Sequence, residues 1–298
     1  MKKRIRSSLL LILAITVIVG CGKQASNEKV QVEEDKSEKS ILAEIPEVSH
    51  GLGYIDGHYV TNTIEAFEEN YKRGFRVFEV DLIMTSDNRL IGRHDWTLGH
   101  YGWLGQEAPA VEEPLPFDTV MGLTIHGEYH APSWEQILEL MQKYPDVYFV
   151  TDTKDKDEAN VRKSFSYIVN TTKEVAPSLL DRIIPQIYDQ PMLGYINSYH
   201  VFNEVIYTLY HHTNENMPTP EELSKWCVEN NVTAVAGLPF RLTAEMQSTL
   251  KDSNIAMYTH TINNPEEAEA FRANGIGVYT DYLLYDGEKF LTPSGVKQ

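Results

Sequence analysis

From Ile45 to the C-terminus, short apolar runs alternate with amphipathic stretches, and few folds accommodate that order. The runs IPEVSHG, RVFEVDLIM, VYFVTDTK, RIIPQIY, EVIYTLY, TAVAGLP, IAMYTHTI and GVYTDYL have strand length and β-favouring content. Helix signals lie between them. In NTIEAFEENYKRG, Ile64, Phe67 and Tyr71 share one face and Gly74 stops the helix. SWEQILELMQKY opens on a Ser N-cap, and TPEELSKWCVEN opens on Thr219 with Pro220 at the first helical position. Strands that alternate with helices imply parallel pairing through crossovers. Roughly eight strand signals over about 250 residues predict a closed (β/α)8 TIM barrel, with an open doubly wound sheet as the alternative. No Gly-x-Gly-x-x-Gly fingerprint follows the first strand, so a dinucleotide site has no support. The segment Thr97–Pro132, rich in Gly, His and aromatics, reads as an insertion over one barrel face.

The N-terminus has a different character. Lys2, Lys3, Arg4 and Arg6 precede an apolar run from Leu9 to Val19. That run is short of the roughly 20 residues of a membrane span and reads as an export signal. It ends Ile18-Val19-Gly20-Cys21, which resembles a bacterial lipobox. The resemblance implies removal of residues 1–20 and lipidation of Cys21, hence an extracytoplasmic protein anchored to the cell membrane; a simple N-terminal membrane anchor is the alternative. Residues 21–44 then form the lipidated Cys and a polar, flexible tether, and 45–298 the barrel domain. Cys227 is the other cysteine and has no partner for an internal disulfide, so it reads as a buried structural thiol. The formal charge of −17 argues against nucleic-acid binding, which needs a basic surface.

The run FEVDLIM carries acids where a buried strand belongs. Side chains alternate along a strand, so Glu79 and Asp81 share one face and Phe78, Val80 and Leu82 the other. In a barrel the acids then point inward, where an isolated charge costs several kcal/mol or more. A hard divalent ion, Mg²⁺ or Ca²⁺, suits such oxygen ligands, whereas the plain structural reading is a salt bridge, with Lys154 as partner. In YFVTDTK, Asp152 and Lys154 repeat the pattern, adding a third carboxylate and a cation for an anionic ligand. His50 ends the first strand, and His94 ends a return strand after the turn Ser86-Asp87-Asn88. Both fall at strand C-terminal ends, the catalytic face of such barrels, and two histidines can supply a general base and a general acid. His100, His126, His130, His211 and His212 read as structural.

The ordered set His50-Gly51, Thr61-Asn62-Thr63, Glu79-Val80-Asp81, Thr85-Ser86-Asp87, His94-Asp95, Asp152-Thr153-Lys154, His260-Thr261-Ile262-Asn263 and Thr280-Asp281 resembles the glycerophosphodiester phosphodiesterase family, within the phosphatidylinositol-phospholipase-C-like barrels. The resemblance spans about residues 46–283. There are departures. Gly51 stands where relatives carry Arg, Thr61 where they carry a metal-binding Glu, Asp152 where many carry Glu, and His260 where they carry Trp.

The resemblance implies metal-dependent hydrolysis of a small phosphodiester to an alcohol and a phosphomonoester. Glu79, Asp81 and Asp152 would hold one divalent cation, which with Lys154 would neutralise the phosphate. His50 would activate the attacking hydroxyl and His94 protonate the leaving alkoxide. Asn62 would orient phosphate or ligate the metal, or merely cap its helix. Tyr188, Trp103 and Tyr279 are candidate pocket walls. Two other readings remain: an inactive, lipid-anchored barrel that binds phosphodiesters or wall polymers, and a glycosidase, which would leave both histidines without a task.

Overall fold

The computed structural model describes residues 40–296. The expected export signal, Cys21 and nearly all of the tether lie outside the described residues. In chain order the principal strands are β1 (Glu47–Ser49), β2 (Val77–Met84), β3 (Leu90–Gly92), β4 (Tyr148–Asp152), β5 (Ile183–Ile187), β6 (Ile206–Thr208), β7 (Ala234–Gly237), β8 (Ala256–Thr259) and β9 (Ile276–Thr280). All except β3 pair in parallel with their neighbours. Strand β1 joins β9 on one side and β2 on the other, which closes an eight-stranded barrel. The fold is the (β/α)8 barrel that the alternation predicts. Strand β3 runs antiparallel to the end of β2, pairing Leu82 with Gly92 and Met84 with Leu90.

Strand parity divides the core in two. Val48, Val77, Val150, Ile184, Ile206, Ala234, Ala236, Tyr258 and Tyr279 fill the barrel interior. Phe78, Val80, Leu82 and Phe149 face the helices. The helix Ile64–Arg73 drives Phe67 into that outer layer, its ring centre 4.6 Å from Phe78 and 5.4 Å from Phe149. Gly277 on β9 has the same parity as Tyr279. A Cβ there would stand 2.5 Å from the Tyr258 ring, so only glycine admits that tyrosine to the interior.

The predicted helix starts at Ser133 and Thr219 are both capping boxes, closed by Gln136 and Glu222. The cap of the helix Ile64–Arg73 is Thr63, whose side chain accepts from Ala66 N, so Asn62 is not its cap.

The folded domain begins earlier than residue 45. Ile41–Glu44 form one helical turn with Leu42 buried. Glu204 accepts from the Ser40 hydroxyl and the Ile41 amide at 2.9 Å each, and Tyr258 Oη donates to Leu42 O and Ile45 O. Glu204 lies just ahead of β6, so this turn seals the N-terminal floor of the barrel. None of the described helices is long and apolar enough to cross a membrane.

Candidate active site

At the other end, where the strands finish, the inward positions turn from apolar to polar. Glu79 and Asp81 lie in the inward row of β2 at the end of its ladder with β4, Asp152 ends the inward row of β4, and Asp81 sits opposite Asp152. All three carboxylates are buried, and one oxygen of each lies within 4.8 Å of the others. Glu79 Oε2 accepts from Gly51 N at 2.7 Å, while Glu79 Oε1 is buried with no partner. Asn62 spends its amide in both directions on Asp81, donating to Oδ2 at 2.7 Å and accepting from the backbone N–H at 2.9 Å. Tyr188 donates its hydroxyl to Asp152.

Lys154 enters by a different route from the one that strand alternation predicts. Strand β4 stops at Asp152, and Lys154 lies two residues on at φ 61°, in a tight turn. Its Nζ reaches Asp81 Oδ1 at 2.5 Å and Asp152 Oδ2 at 2.7 Å. The lysine ammonium thus holds one oxygen of each of these two aspartates.

The electrostatics follow from crowding. Burial, then the Asp81 charge, pushes the Glu79 carboxyl up to about 8. Burial also opposes ionisation of Asp81, but Lys154, His94 and His50 outweigh it and hold that carboxyl below its usual range. Burial lifts Asp152. Burial alone would lower His50, yet the Asp281 hydrogen bond and the charges of Glu79, Asp281 and Asp81 raise it to about 9. Three buried carboxyls crowd around one lysine, and Glu79 keeps one oxygen without a partner among the described residues. That donor set fits a hard divalent ion.

Two histidines flank the acids. His50 Nδ1 lies 2.8 Å from Asp281 Oδ1, and Asn263 donates to the other oxygen of Asp281. The second ring nitrogen of His50 is thereby left for a substrate. Strand β3 ends at Gly92, two residues short of His94, but Arg93 N donates to Asp81 O at 2.9 Å and holds this loop beside the acids. His94 Nδ1 lies 2.7 Å from Asp95 Oδ2. A cavity of about 440 Å³ opens over the group, lined by His50, Glu79, His94, Asp152, Lys154, Gln186, Tyr188, Thr208, Tyr210, His211, His260, Thr261 and Tyr279.

The model of the Glycerophosphoryl diester phosphodiesterase family matches residues 55–284. The chain belongs to that family. Solved structures that share the barrel include a glycerophosphodiester phosphodiesterase from Parabacteroides distasonis, with TM-score 0.62 and 18% identity over 79% of this chain and 92% of that one. Another is an Oleispira antarctica phosphodiesterase in complex with its product sn-glycerol-3-phosphate, with TM-score 0.64 and 13% identity over 80% and 93%. A third, from Thermotoga maritima, has TM-score 0.57 and 17% identity over 80% and 94%. No curated protein sequence matches the chain.

Within this phosphodiesterase, the cavity gathers His50, His94, Glu79, Asp152, Lys154, Tyr188 and Tyr279. Asp81 and Asn62 stand behind that wall. Trp103 is elsewhere: it is 46% exposed, bonded to Tyr59 O, and lines a separate outer depression. His211, which reads as structural in the sequence, lines the cavity with its ring against Tyr188. His212 and His130 bond to Tyr207 and Glu65, as structural histidines do. Gln186, Thr208 and Tyr210 are polar groups that sequence reasoning missed, and Asp281, read there only within the pair Thr280-Asp281, turns out to hold His50. For Gln186, Thr208 and Asp281 the signal was present, since each continues the inward parity of its strand two positions beyond Ile184, Ile206 and Tyr279, whereas Tyr210 lies past the end of β6.

Proposed function

We propose that this enzyme hydrolyses a small glycerophosphodiester-like substrate to an alcohol and a phosphomonoester, using one divalent cation, Mg²⁺ or Ca²⁺. The observation that carries the reading is the convergence of Glu79, Asp81 and Asp152 beneath a cavity walled by His50, His94 and Lys154. The three acids would hold the ion, which when bound supplies positive charge to the phosphate oxygens and to the charge that grows in the transition state. Lys154 is 30% exposed on that wall and adds a point charge. Tyr188 keeps Asp152 oriented and closes one side of the pocket. His50 activates the attacking hydroxyl. The Asp281 hydrogen bond, then the charges of Glu79, Asp281 and Asp81, raise its pKa to about 9; a cation on Glu79 and Asp81 would remove their share of that rise and favour the neutral ring that accepts a proton. His94, paired with Asp95, protonates the leaving alkoxide. The product-bound Oleispira barrel supports a substrate with a glycerol phosphate half.

The test is hydrolysis across a panel of phosphodiesters with and without chelator. Activity should vanish with chelator and return with Mg²⁺ or Ca²⁺. His50→Ala and His94→Ala should each lose about 10²–10⁴-fold in kcat. A protein inert on the whole panel that still binds one member would instead be the inactive barrel. We also propose that the enzyme works outside the cytoplasm, held at the membrane by a lipid on Cys21. Fatty-acid labelling that persists in Cys21→Ser would overturn that.

A further inference from the structure

A second group of ligands lies outside the acid trio. Metal-capable atoms of His94, Asp95 and His100 lie within 4.8 Å of one another. His100 comes from the short helix Leu98–Trp103 in the insertion, and His94 and Asp95 from the loop after β3. The imidazoles of His94 and His100 are 5.7 Å apart, centre to centre. His100 is 9% exposed, and its Nε2 is buried without a partner among the described residues. A buried ring nitrogen left unpaired is costly, and a metal ion reached from the adjoining depression would satisfy it. The group borders an outer depression of about 340 Å³ that gives an ion access from solvent.

We propose that His94, Asp95 and His100 form a second metal site, selective for a borderline transition ion such as Zn²⁺, whose occupation withdraws His94 from proton transfer. Two imidazoles and one carboxylate favour such an ion over Mg²⁺ or Ca²⁺, whereas the all-oxygen trio favours the hard ions. The two sites therefore sort cations by donor chemistry. Bonds of about 2.0–2.2 Å place tetrahedral ligands roughly 3.5 Å apart, so side-chain rotations of about an ångström bring the three onto one ion and leave its fourth position to solvent. Burial, and then the charge of Arg93, lowers His100 to about 4, which favours the neutral ring. Arg93 also opposes an incoming cation. Asp95 offsets that charge, and Arg93 is itself engaged with Asp95 O and Gln106 Oε1.

The regulatory half rests on His94 as the proton donor of the proposed reaction; the binding half does not. His94 lines both the catalytic cavity and the outer depression. With one ring nitrogen on a metal, the imidazolium cannot form, and the readily transferred proton is lost. Zinc then inhibits without entering the catalytic cavity.

The experiment uses the whole exported chain, with Mg²⁺ or Ca²⁺ in excess to fill the acid trio. Co²⁺ is titrated and its visible d–d bands are read, in wild type and in His100→Gln. In parallel, Zn²⁺ inhibition of phosphodiester hydrolysis is measured. Wild type should bind one Co²⁺ with tetrahedral bands, and His100→Gln should lose them. That variant should keep its zinc-free activity and need at least about tenfold more Zn²⁺ for half-inhibition. Bands that are absent from wild type, or that persist in His100→Gln, overturn the site. Inhibition of equal strength in both proteins overturns the withdrawal of His94, as does a Co²⁺ site that leaves hydrolysis unaffected. If no substrate is turned over at all, the catalytic reading fails while the Co²⁺ titration still decides the site.

Discussion

Gly51 holds the acids and the first histidine in one frame. It follows His50 directly, has φ 54°, and a Cβ on it would meet Val60 Cα at 2.6 Å. With no side chain in the way, its N–H donates straight to Glu79. The place where the family resemblance puts an arginine is thus a backbone contact here, and Lys154 is the lysine on the cavity wall. Asn62 acts on the same frame from behind, through its two bonds to Asp81. Asn62→Ala should weaken Mg²⁺ or Ca²⁺ binding about 10–100-fold, because it frees the carboxylate to rotate. Calorimetric titration of the folded variant checks this, and unchanged affinity would mean that Asp81 is held well enough by its other neighbours.

Among the elements, what the chain's periodicity determines was legible and what its turns determine was not. The strands and the capped helices at Ser133 and Thr219 follow from period and cap chemistry, and they fall where that chemistry puts them. Glu79, Asp81 and Asp152 could be assigned to one interior because strand parity is a two-residue rule. Lys154 reaches the same interior through a left-handed turn, which parity cannot foresee. The cap at Thr63 in place of Asn62 was hidden for a similar reason, since both residues are good caps and only the tertiary partner Asp81 separates them. Trp103 and His211 were misplaced because the insertion and the loop after β6 have no period to read. The outer layer gives a direct check on the periodic part. Phe67 is fully buried between Phe78 and Phe149, so Phe67→Ala should cost about 3–5 kcal/mol in denaturant unfolding.

On the scale of the whole barrel, the floor and the mouth make opposite demands. The mouth gathers charge that a ligand can compensate. The floor contains Glu47, 6% exposed, with one carboxylate oxygen unpartnered. Burial raises that carboxyl from 4.5 to about 8, partly offset by a hydrogen bond from the Tyr285 backbone. Since the folded-state value lies above the unfolded one, the folded state holds the proton more tightly. The stability this gives is complete below about pH 4.5 and is lost as pH rises toward about 8. Glu47→Gln should therefore stabilise the protein at pH 8 by on the order of a few kcal/mol and change little in acid. Unfolding curves for both proteins across that range would show a gap that widens with pH, and a constant gap would assign Glu47 another role. The turn that seals the floor has a practical corollary. Ser40 itself lies beside Glu204 ahead of β6, at the end of the strands opposite His50 and His94. A bead, tag or carrier protein attached there leaves the catalytic opening clear, so kcat/KM on a small phosphodiester should be the same for the immobilised and the free enzyme.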